Sequence, residues 1–134
     1  IMFNSYIFFS KYKYIMRDYK KGIIYAIICK TTNNIYIGSS IEAPNIRLIK
    51  HRYEYLHPNR PYISSSKCFE HNNYDITIIE KYPCNNVKEL ESREALHIIN
   101  NRLLNNFNVV NKRCPIGHKK MVYDLSSLPC PSLT

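Results

Sequence analysis

The sequence has 134 residues, 45% of them hydrophobic and 22% charged, so it suits one folded domain with a modest core and not a disordered chain. Its 19 basic residues outnumber 10 acidic ones and give a formal net charge of +9. That excess favours a polyanionic partner, although it does not separate DNA from RNA or an anionic membrane, and a basic surface that only confers solubility would have the same composition. The five cysteines lie far apart without C-x-x-C spacing, which predicts reduced thiols in an intracellular protein of the cytoplasm or nucleus.

The two ends of the sequence carry the weakest patterns. We assign residues 1–19 to an N-terminal extension, because its apolar run at residues 1–10 is too short for a membrane span and lacks a secretory signal, and because Met16 is a candidate first residue of the natural protein. Residues 115–134 hold three of the seven prolines and are predicted to be a C-terminal tail. A zinc site from Cys114, His118 and Cys130 is an alternative whose spacing fits no established zinc motif. The folded domain is therefore predicted to span residues 20–114.

The domain is predicted to open with a β-hairpin. Residues 22–30 form an apolar, β-branched run of strand length, and residues 31–34 supply turn residues. Residues 35–38 then resume the strand pattern.

A helix is predicted to begin at Pro44 and to end before Pro58. Four apolar residues recur at helical spacing and predict its buried stripe: Ile46, Ile49, Tyr53 and Leu56. Residues 57–74 are predicted to be a loop with a helical turn near residues 65–69.

A third strand is predicted over residues 75–82, and a second helix over residues 87–103 with Asn85 or Asn86 as its N-cap. Residues 107–110 are predicted to be a short strand or an extended segment. These elements predict an α+β fold, in which helices flank a small three-stranded, mostly antiparallel sheet.

Glu94 breaks the apolar pattern of the second helix. The predicted inward face is formed by Val87, Leu90, Glu94 and Ile98. A carboxylate in such a position must be paired, hydrogen-bonded or bound to a cation, because burying a bare charge costs several kcal/mol. The alternatives are a core ion pair with Arg93 or Arg47, or a rotated helix that exposes Glu94.

Arg47 and His51 lie four residues apart and share one face of the first helix. Together they could hold a phosphate, and the imidazole could transfer a proton near neutral pH. A solvated basic helix face is the alternative. Tyr25 and Tyr36, taken singly, suit packing residues of strands.

Taken together, four segments resemble the GIY-YIG nuclease family in order and spacing. The segments are Ile24-Tyr25 with Tyr36-Ile37-Gly38, the helix from Pro44 to His51 with Arg47, Ser92 to Ile99 with Glu94, and Val109-Val110-Asn111-Lys112. The sequence departs from the family pattern at Ile23, where the family has its leading glycine, and at His97, where an aromatic residue is common. His57 and Lys67 are candidates for a further basic residue of the family, and Asn108 competes with Asn111.

The resemblance implies a DNA endonuclease in which Glu94 holds one divalent cation, Mg²⁺ or Mn²⁺, and Arg47 stabilises charge on the phosphate. It implies that Tyr36 or Tyr25 is the general base, and we favour Tyr36. His51 would relay a proton or contact phosphate, and Asn111 would brace the site. The resemblance is closest to free-standing domains of phages and large DNA viruses. The rival hypotheses are an inactive nucleic-acid-binding module and an interaction domain with incidental charge.

Overall fold

The computed structural model describes residues 17–59, 63–112 and 125–129 and has the predicted α+β class. The strands are β1 (Ile23–Cys29), β2 (Asn34–Ser40), β3 (Tyr74–Lys81) and β4 (Asn108–Val109). The helices are α1 (Pro44–Leu56), α2 (Ser66–Phe69) and α3 (Val87–Leu104), with 3₁₀ turns at Tyr19–Lys21 and Leu125–Ser127. Within the described ranges, no helix has both the length and the apolar character that crossing a bilayer requires.

The sheet has four strands in the order β3-β1-β2-β4, so the prediction of three strands was wrong. β1 pairs antiparallel with β2 and β3, whereas β4 runs parallel to β2 through the pairs Asn34–Asn108 and Ile35–Val109. A strand of two residues has no alternation that a sequence pattern could reveal. Its existence depends on the parallel partner, which only the tertiary fold supplies.

β1 lies inside the sheet and is buried on both faces, which explains its nearly unbroken apolar sequence. One face packs against α3, and its buried residues are Ile24, Ala26, Ile35, Ile37, Cys84, Leu90 and Ile98. The other face packs against α1 and α2, and its buried residues are Ile23, Tyr25, Ile27, Cys68, Phe69 and Val110. The sheet therefore separates two small cores.

The predicted buried stripe of α1 is exposed, which corrects the sequence-based assignment. The four side chains remain between 44% and 66% accessible: Ile46, Ile49, Tyr53 and Leu56. The helix instead turns His51 inward, with Leu48 and Tyr55 partly buried beside it. Tyr55 stacks on Phe69 of α2 with 5.6 Å between ring centroids, and His51 finds hydrogen-bond partners on the sheet. The helix is thus rotated relative to the predicted orientation and exposes its apolar residues, because contacts with residues distant in sequence determine which face is buried.

α3 follows its sequence signals at both ends. The Asn86 side chain accepts a hydrogen bond from the Glu89 backbone N–H at 3.0 Å and caps the helix, and Asn105 ends it in the left-handed region at φ 54°. Of the predicted inward face, Leu90 and Ile98 are buried, but Val87 is 45% exposed. Val87 is the first residue of the helix and lies outside the core clusters, which corrects that part of the prediction.

Candidate active site

The outer edge of β2 is completed first by a strand and then by side chains. β4 covers its start, where the Val110 N–H donates to the Ile35 carbonyl at 2.9 Å. At Ile37, two residues further along β2, the Asn111 side-chain amide makes the hydrogen bonds that a neighbouring strand would make. Its Oδ1 accepts from the Ile37 N–H at 2.9 Å, and its Nδ2 donates to the Ile37 carbonyl at 2.7 Å. Asn111 is 7% exposed, and its carbonyl accepts from Arg102 at 2.6 Å. Asn111 therefore braces the edge of the sheet.

Glu94, on α3, contacts the same edge of β2 two residues further along, at Ser39. Its Oε2 accepts a hydrogen bond from the Ser39 hydroxyl at 2.5 Å, and the Ser39 backbone N–H also favours the carboxylate. Burial raises the pKa of Glu94 to about 7, Ser39 opposes the rise, and the nearby charge of Glu91 adds to it. Ser39 thus anchors a half-buried carboxylate at the end of β2, but its hydrogen bonds do not fully offset the cost of burying the charge.

The two ion pairs proposed as alternatives for Glu94 do not form. Arg93 pairs with Glu80, with 2.8 Å between Nη2 and Oε1, and Arg47 lies 4.0 Å from Glu42. Among the residues that the structure describes, none forms an ion pair with Glu94 within 4.0 Å. The carboxylate therefore has no direct ion-pair partner in the described part of the chain, although the more distant charge of Arg47 acts on it.

Tyr25, Arg47 and His51 form a hydrogen-bonded cluster on the opposite face of the sheet. The Tyr25 hydroxyl lies 2.7 Å from His51 Nε2, and Arg47 Nη2 lies 3.4 Å from both atoms. One turn of α1 separates Arg47 from His51, so both side chains reach Tyr25 from the same side. The Tyr36 ring packs edge-on against His51 at 5.1 Å, and Ser65 Oγ lies 3.0 Å from His51 Nδ1.

Burial sets the charge state of this cluster. It lowers the pKa of His51 to about 4, and the Arg47 charge lowers it further in the same direction, so the imidazole is neutral at pH 7. Burial also raises the pKa of Tyr25, but Arg47 counteracts it through its charge and hydrogen bond. The pKa of Tyr36 is raised far more, by burial and by the charges of Tyr25 and Glu94. Tyr25 therefore loses its phenolic proton more readily than Tyr36.

The end of β2 joins these two halves. Neighbouring residues of a strand point to opposite faces, so Gly38 lies on the tyrosine side and Ser39 on the side of Glu94. Gly38 pairs across the sheet with Tyr25, whose ring covers it. Arg47 is among the charges that act on Glu94, which places the halves within electrostatic reach. The candidate site is therefore built around the last residues of one strand.

We expect Gly38→Ala to displace the Tyr25 ring. A Cβ at residue 38 would collide with the Tyr25 hydroxyl and ring carbons, and Tyr25 is 1% exposed and held by His51. Overpacking of this kind destabilises a protein by about 1 to 3 kcal/mol. Urea denaturation measures the loss of stability. Gly22 gives no matched control, since its own Cβ would strike the Tyr82 carbonyl, so wild type is the reference. Unchanged stability would contradict the tight contact.

We expect the stability that His51 contributes to the folded protein to be lost as the pH drops from about 6.5 to 4. Glu94, whose pKa burial raises to about 7, takes up its proton in the folded state over the same range and opposes this loss, so the effect is measured as a difference between two proteins that both carry Glu94. Burial and then the charge of Arg47 keep the imidazole neutral in the folded protein, where Tyr25 and Tyr36 also face it, whereas the unfolded chain takes up the proton near pH 6.5. At His51 the unfolded state thus binds more protons in this window, and the loss reaches at most about 3 kcal/mol.

The measurement is urea denaturation of wild type and His51→Gln at pH 7.5 and pH 4.5. His97, whose pKa burial also lowers despite its contact with Glu80, is common to both proteins and cancels in the comparison. The variant should lose less stability than wild type on acidification. An equal loss in both proteins would show that His51 does not titrate in this way.

Sequence reasoning missed Ser39 and Ser65. Ser39 directly follows the motif glycine, whereas Ser65 lies in a polar segment with no pattern to mark it. His57 and Lys67 are exposed and make no described contact with the cluster, and the Asn108 side chain bonds to Asn34 at β4. In place of the aromatic residue of the family pattern, buried His97 contacts Glu80 at 2.6 Å. The cysteines at 29, 68 and 84 are free, as predicted, while Cys114, His118 and Cys130 lie outside the described residues.

Tyr25 and Tyr36 lie on the β1–β2 hairpin, Arg47 lies on α1 and Glu94 on α3. This mixed sheet with its flanking helices has the fold of a nuclease domain. It matches the solved structure "Structure of the Catalytic Domain of Homing Endonuclease I-TevI" with a TM-score of 0.53 over 68% of this chain and 99% of that one. At 19% identity this similarity shows the fold alone. No curated protein matches the sequence significantly. Residues 21–108, however, match the family of the GIY-YIG catalytic domain. The chain belongs to the GIY-YIG family.

Proposed function

We propose that this chain is a metal-dependent DNA endonuclease that hydrolyses phosphodiester bonds at the end of β2. The observation that carries the proposal is the pairing of two unlike halves there. A hydrogen-bonded Tyr25–His51–Arg47 cluster lies on one side, and Glu94, an anchored carboxylate without a described ion-pair partner, lies on the other. Family membership and the fold shared with a homing endonuclease domain support DNA as the substrate, and the net charge of +9 suits a polyanion.

Tyr25 is the better candidate for the general base, although the sequence alone favoured Tyr36. Its hydroxyl lies 2.7 Å from the neutral His51 Nε2. A DNA phosphate paired with Arg47 would offset the positive charge that lowers the pKa of His51, so that Nε2 can take the phenolic proton as Tyr25 accepts a proton from the attacking water. The resulting hydroxide forms the new P–O bond, the bond to the leaving oxygen breaks, and that oxygen takes a proton from solvent. His51 then returns its proton to the Tyr25 oxygen as Tyr25 releases the proton that it took from the water. Tyr36 has no described hydrogen bond to such an acceptor and would orient the water.

Arg47 is suited to stabilising charge on the phosphate. Its side chain is 29% exposed, and its pairing with Glu42 is loose at 4.0 Å. Its buried Nε has no hydrogen-bond partner among the described residues, which leaves the side chain incompletely satisfied. A guanidinium held in this way can donate to non-bridging oxygens as negative charge develops on them.

The donor set at Glu94 fits one Mg²⁺ or Mn²⁺ with few protein ligands. A cation would supply the direct counter-charge that the carboxylate lacks, and it would offset the burial that raises the pKa of Glu94 to about 7. Within the described ranges, no group of three His, Cys, Asp or Glu side chains could hold a metal, so water and phosphate oxygens would fill the remaining positions, as Mg²⁺ favours. A cation held there would act as a Lewis acid toward the phosphate and the leaving oxygen.

The test is nicking of supercoiled plasmid by the full chain in Mg²⁺, in Mn²⁺ and in EDTA, with DNA binding measured in parallel across salt concentrations. We expect nicking in either metal, none in EDTA, and binding that weakens steeply with salt. Binding without nicking would favour the inactive nucleic-acid-binding module. Binding without salt dependence would contradict recognition of a polyanion and would favour an interaction domain.

A further inference from the structure

Ser65 contacts the catalytic cluster from an element that no site motif includes. It immediately precedes α2, is 1% exposed, and places its Oγ 3.0 Å from His51 Nδ1. Its backbone carbonyl accepts from the Cys68 N–H at 2.9 Å, which fixes the residue at the start of the helical turn. A buried hydroxyl is thus held at the ring nitrogen of His51 that does not face Tyr25.

The donors around His51 determine which nitrogen carries its proton. A neutral imidazole has one N–H and one lone pair. Arg47 can only donate, and its Nη2 lies 3.4 Å from Nε2, so a hydrogen on Nε2 would point at a cation. The lone pair therefore belongs on Nε2, where it accepts from the Tyr25 hydroxyl, and the hydrogen belongs on Nδ1. A buried N–H needs an acceptor, and among the described residues Ser65 Oγ provides it.

We propose that Ser65 is a positioning residue that holds His51 in its Nδ1-protonated tautomer and thereby keeps Nε2 ready to accept the Tyr25 proton. The inference rests on the proposed function for its catalytic consequence. Once His51 has taken the proton, both ring nitrogens carry hydrogens, and Ser65 still accepts from Nδ1. Because a hydrogen bond to a charged group is stronger than one to a neutral group, Ser65 stabilises the protonated imidazole more than the neutral one.

The first test follows cleavage of plasmid under single-turnover conditions. We expect Ser65→Ala to lower the rate by about 10- to 100-fold with unchanged DNA affinity, and Ser65→Thr, which keeps the hydroxyl, to recover most of it. Ser66→Ala is the matched control, since Ser66 is the next residue and has no described side-chain hydrogen bond. Thermal melting establishes that each variant is folded.

A double-mutant cycle separates action through His51 from a general structural effect. In the His51→Gln background, adding Ser65→Ala should change the rate by less than about twofold. An equal loss in both backgrounds would overturn the proposal, because Ser65 would then act independently of the imidazole.

Nitrogen-15 NMR of the histidine ring tests the tautomer without any cleavage. We expect wild type to show His51 protonated at Nδ1, and Ser65→Ala to show a mixture of the two neutral forms. Protonation at Nε2 in wild type would overturn the proposal even if the protein is an active nuclease. The expected tautomer in a protein that cuts no DNA would uphold the control of His51 by Ser65 and overturn the proposed function instead.

Discussion

Glu94→Gln is expected to lower the rate of metal-dependent cleavage by about 1,000-fold or more, because it removes the protein ligand proposed for the cation. The same substitution should stabilise the metal-free protein at pH 8 by about 1 to 3 kcal/mol. Glutamine has nearly the shape of glutamate and keeps an oxygen that can accept from Ser39. It carries no charge, so the desolvation penalty of the half-buried carboxylate disappears. A gain in stability with a loss of activity is the pattern of a residue retained for function.

Plasmid nicking and urea denaturation of the same preparations measure the two effects. Glu70→Gln is the matched control, since it removes an equal charge from an exposed position, and both measurements should stay near wild type. Addition of Mg²⁺ should raise the melting temperature of wild type and not that of Glu94→Gln. Full activity in Glu94→Gln, or the same Mg²⁺ response in both proteins, would remove Glu94 from the metal site.

The second large effect is expected at Tyr25. Tyr25→Phe should lower the cleavage rate by about 100- to 1,000-fold, the range contributed by a general base, whereas Tyr36→Phe should remain within about tenfold of wild type. The two substitutions delete the same atom from neighbouring strands on the same face of the sheet. Only Tyr25 has a hydroxyl bonded to His51, at 2.7 Å, among the described contacts of the two phenols.

Single-turnover cleavage of plasmid compares the two variants, and each serves as the control of the other. Tyr25→Phe leaves His51 Nε2 without its donor, so melting curves must show that the protein remains folded. A larger loss in Tyr36→Phe than in Tyr25→Phe would reverse the assignment and restore the base that the sequence alone favoured.

Much of the fold could be predicted because local signals agree with the final structure. The hairpin, the helix start at Pro44, the Asn86 cap and the strand closed before Pro83 all depend on residues close in sequence. β4 could not be predicted with the same certainty, since two residues become a strand only when β2 is beside them. The sheet was therefore assigned one strand too few.

The first helix shows why periodicity alone can select the wrong face. Its apolar residues at helical spacing, Ile46, Ile49, Tyr53 and Leu56, suggest burial, yet they are exposed. Contacts with other parts of the chain determine the buried side. Phe69 stacks on Tyr55, and Tyr25 and Ser65 form the hydrogen bonds that offset the cost of burying His51. The sequence of the helix alone does not reveal these contacts, because their partners lie elsewhere in the chain.

The sequence by itself determined the family, because residues 21–108 match the GIY-YIG catalytic domain, and its four ordered motifs marked the candidate site residues. It marked Glu94 as a carboxylate in an apolar pattern, and the structure places it half-buried without a described ion pair. Only the tertiary structure decided which of these groups contact one another. It bonds His51 to Tyr25 and not to Tyr36, anchors Glu94 through Ser39, and uses Asn111 as a brace. These relations depend on distances between elements far apart in the chain, and the pattern of a sequence does not contain those distances.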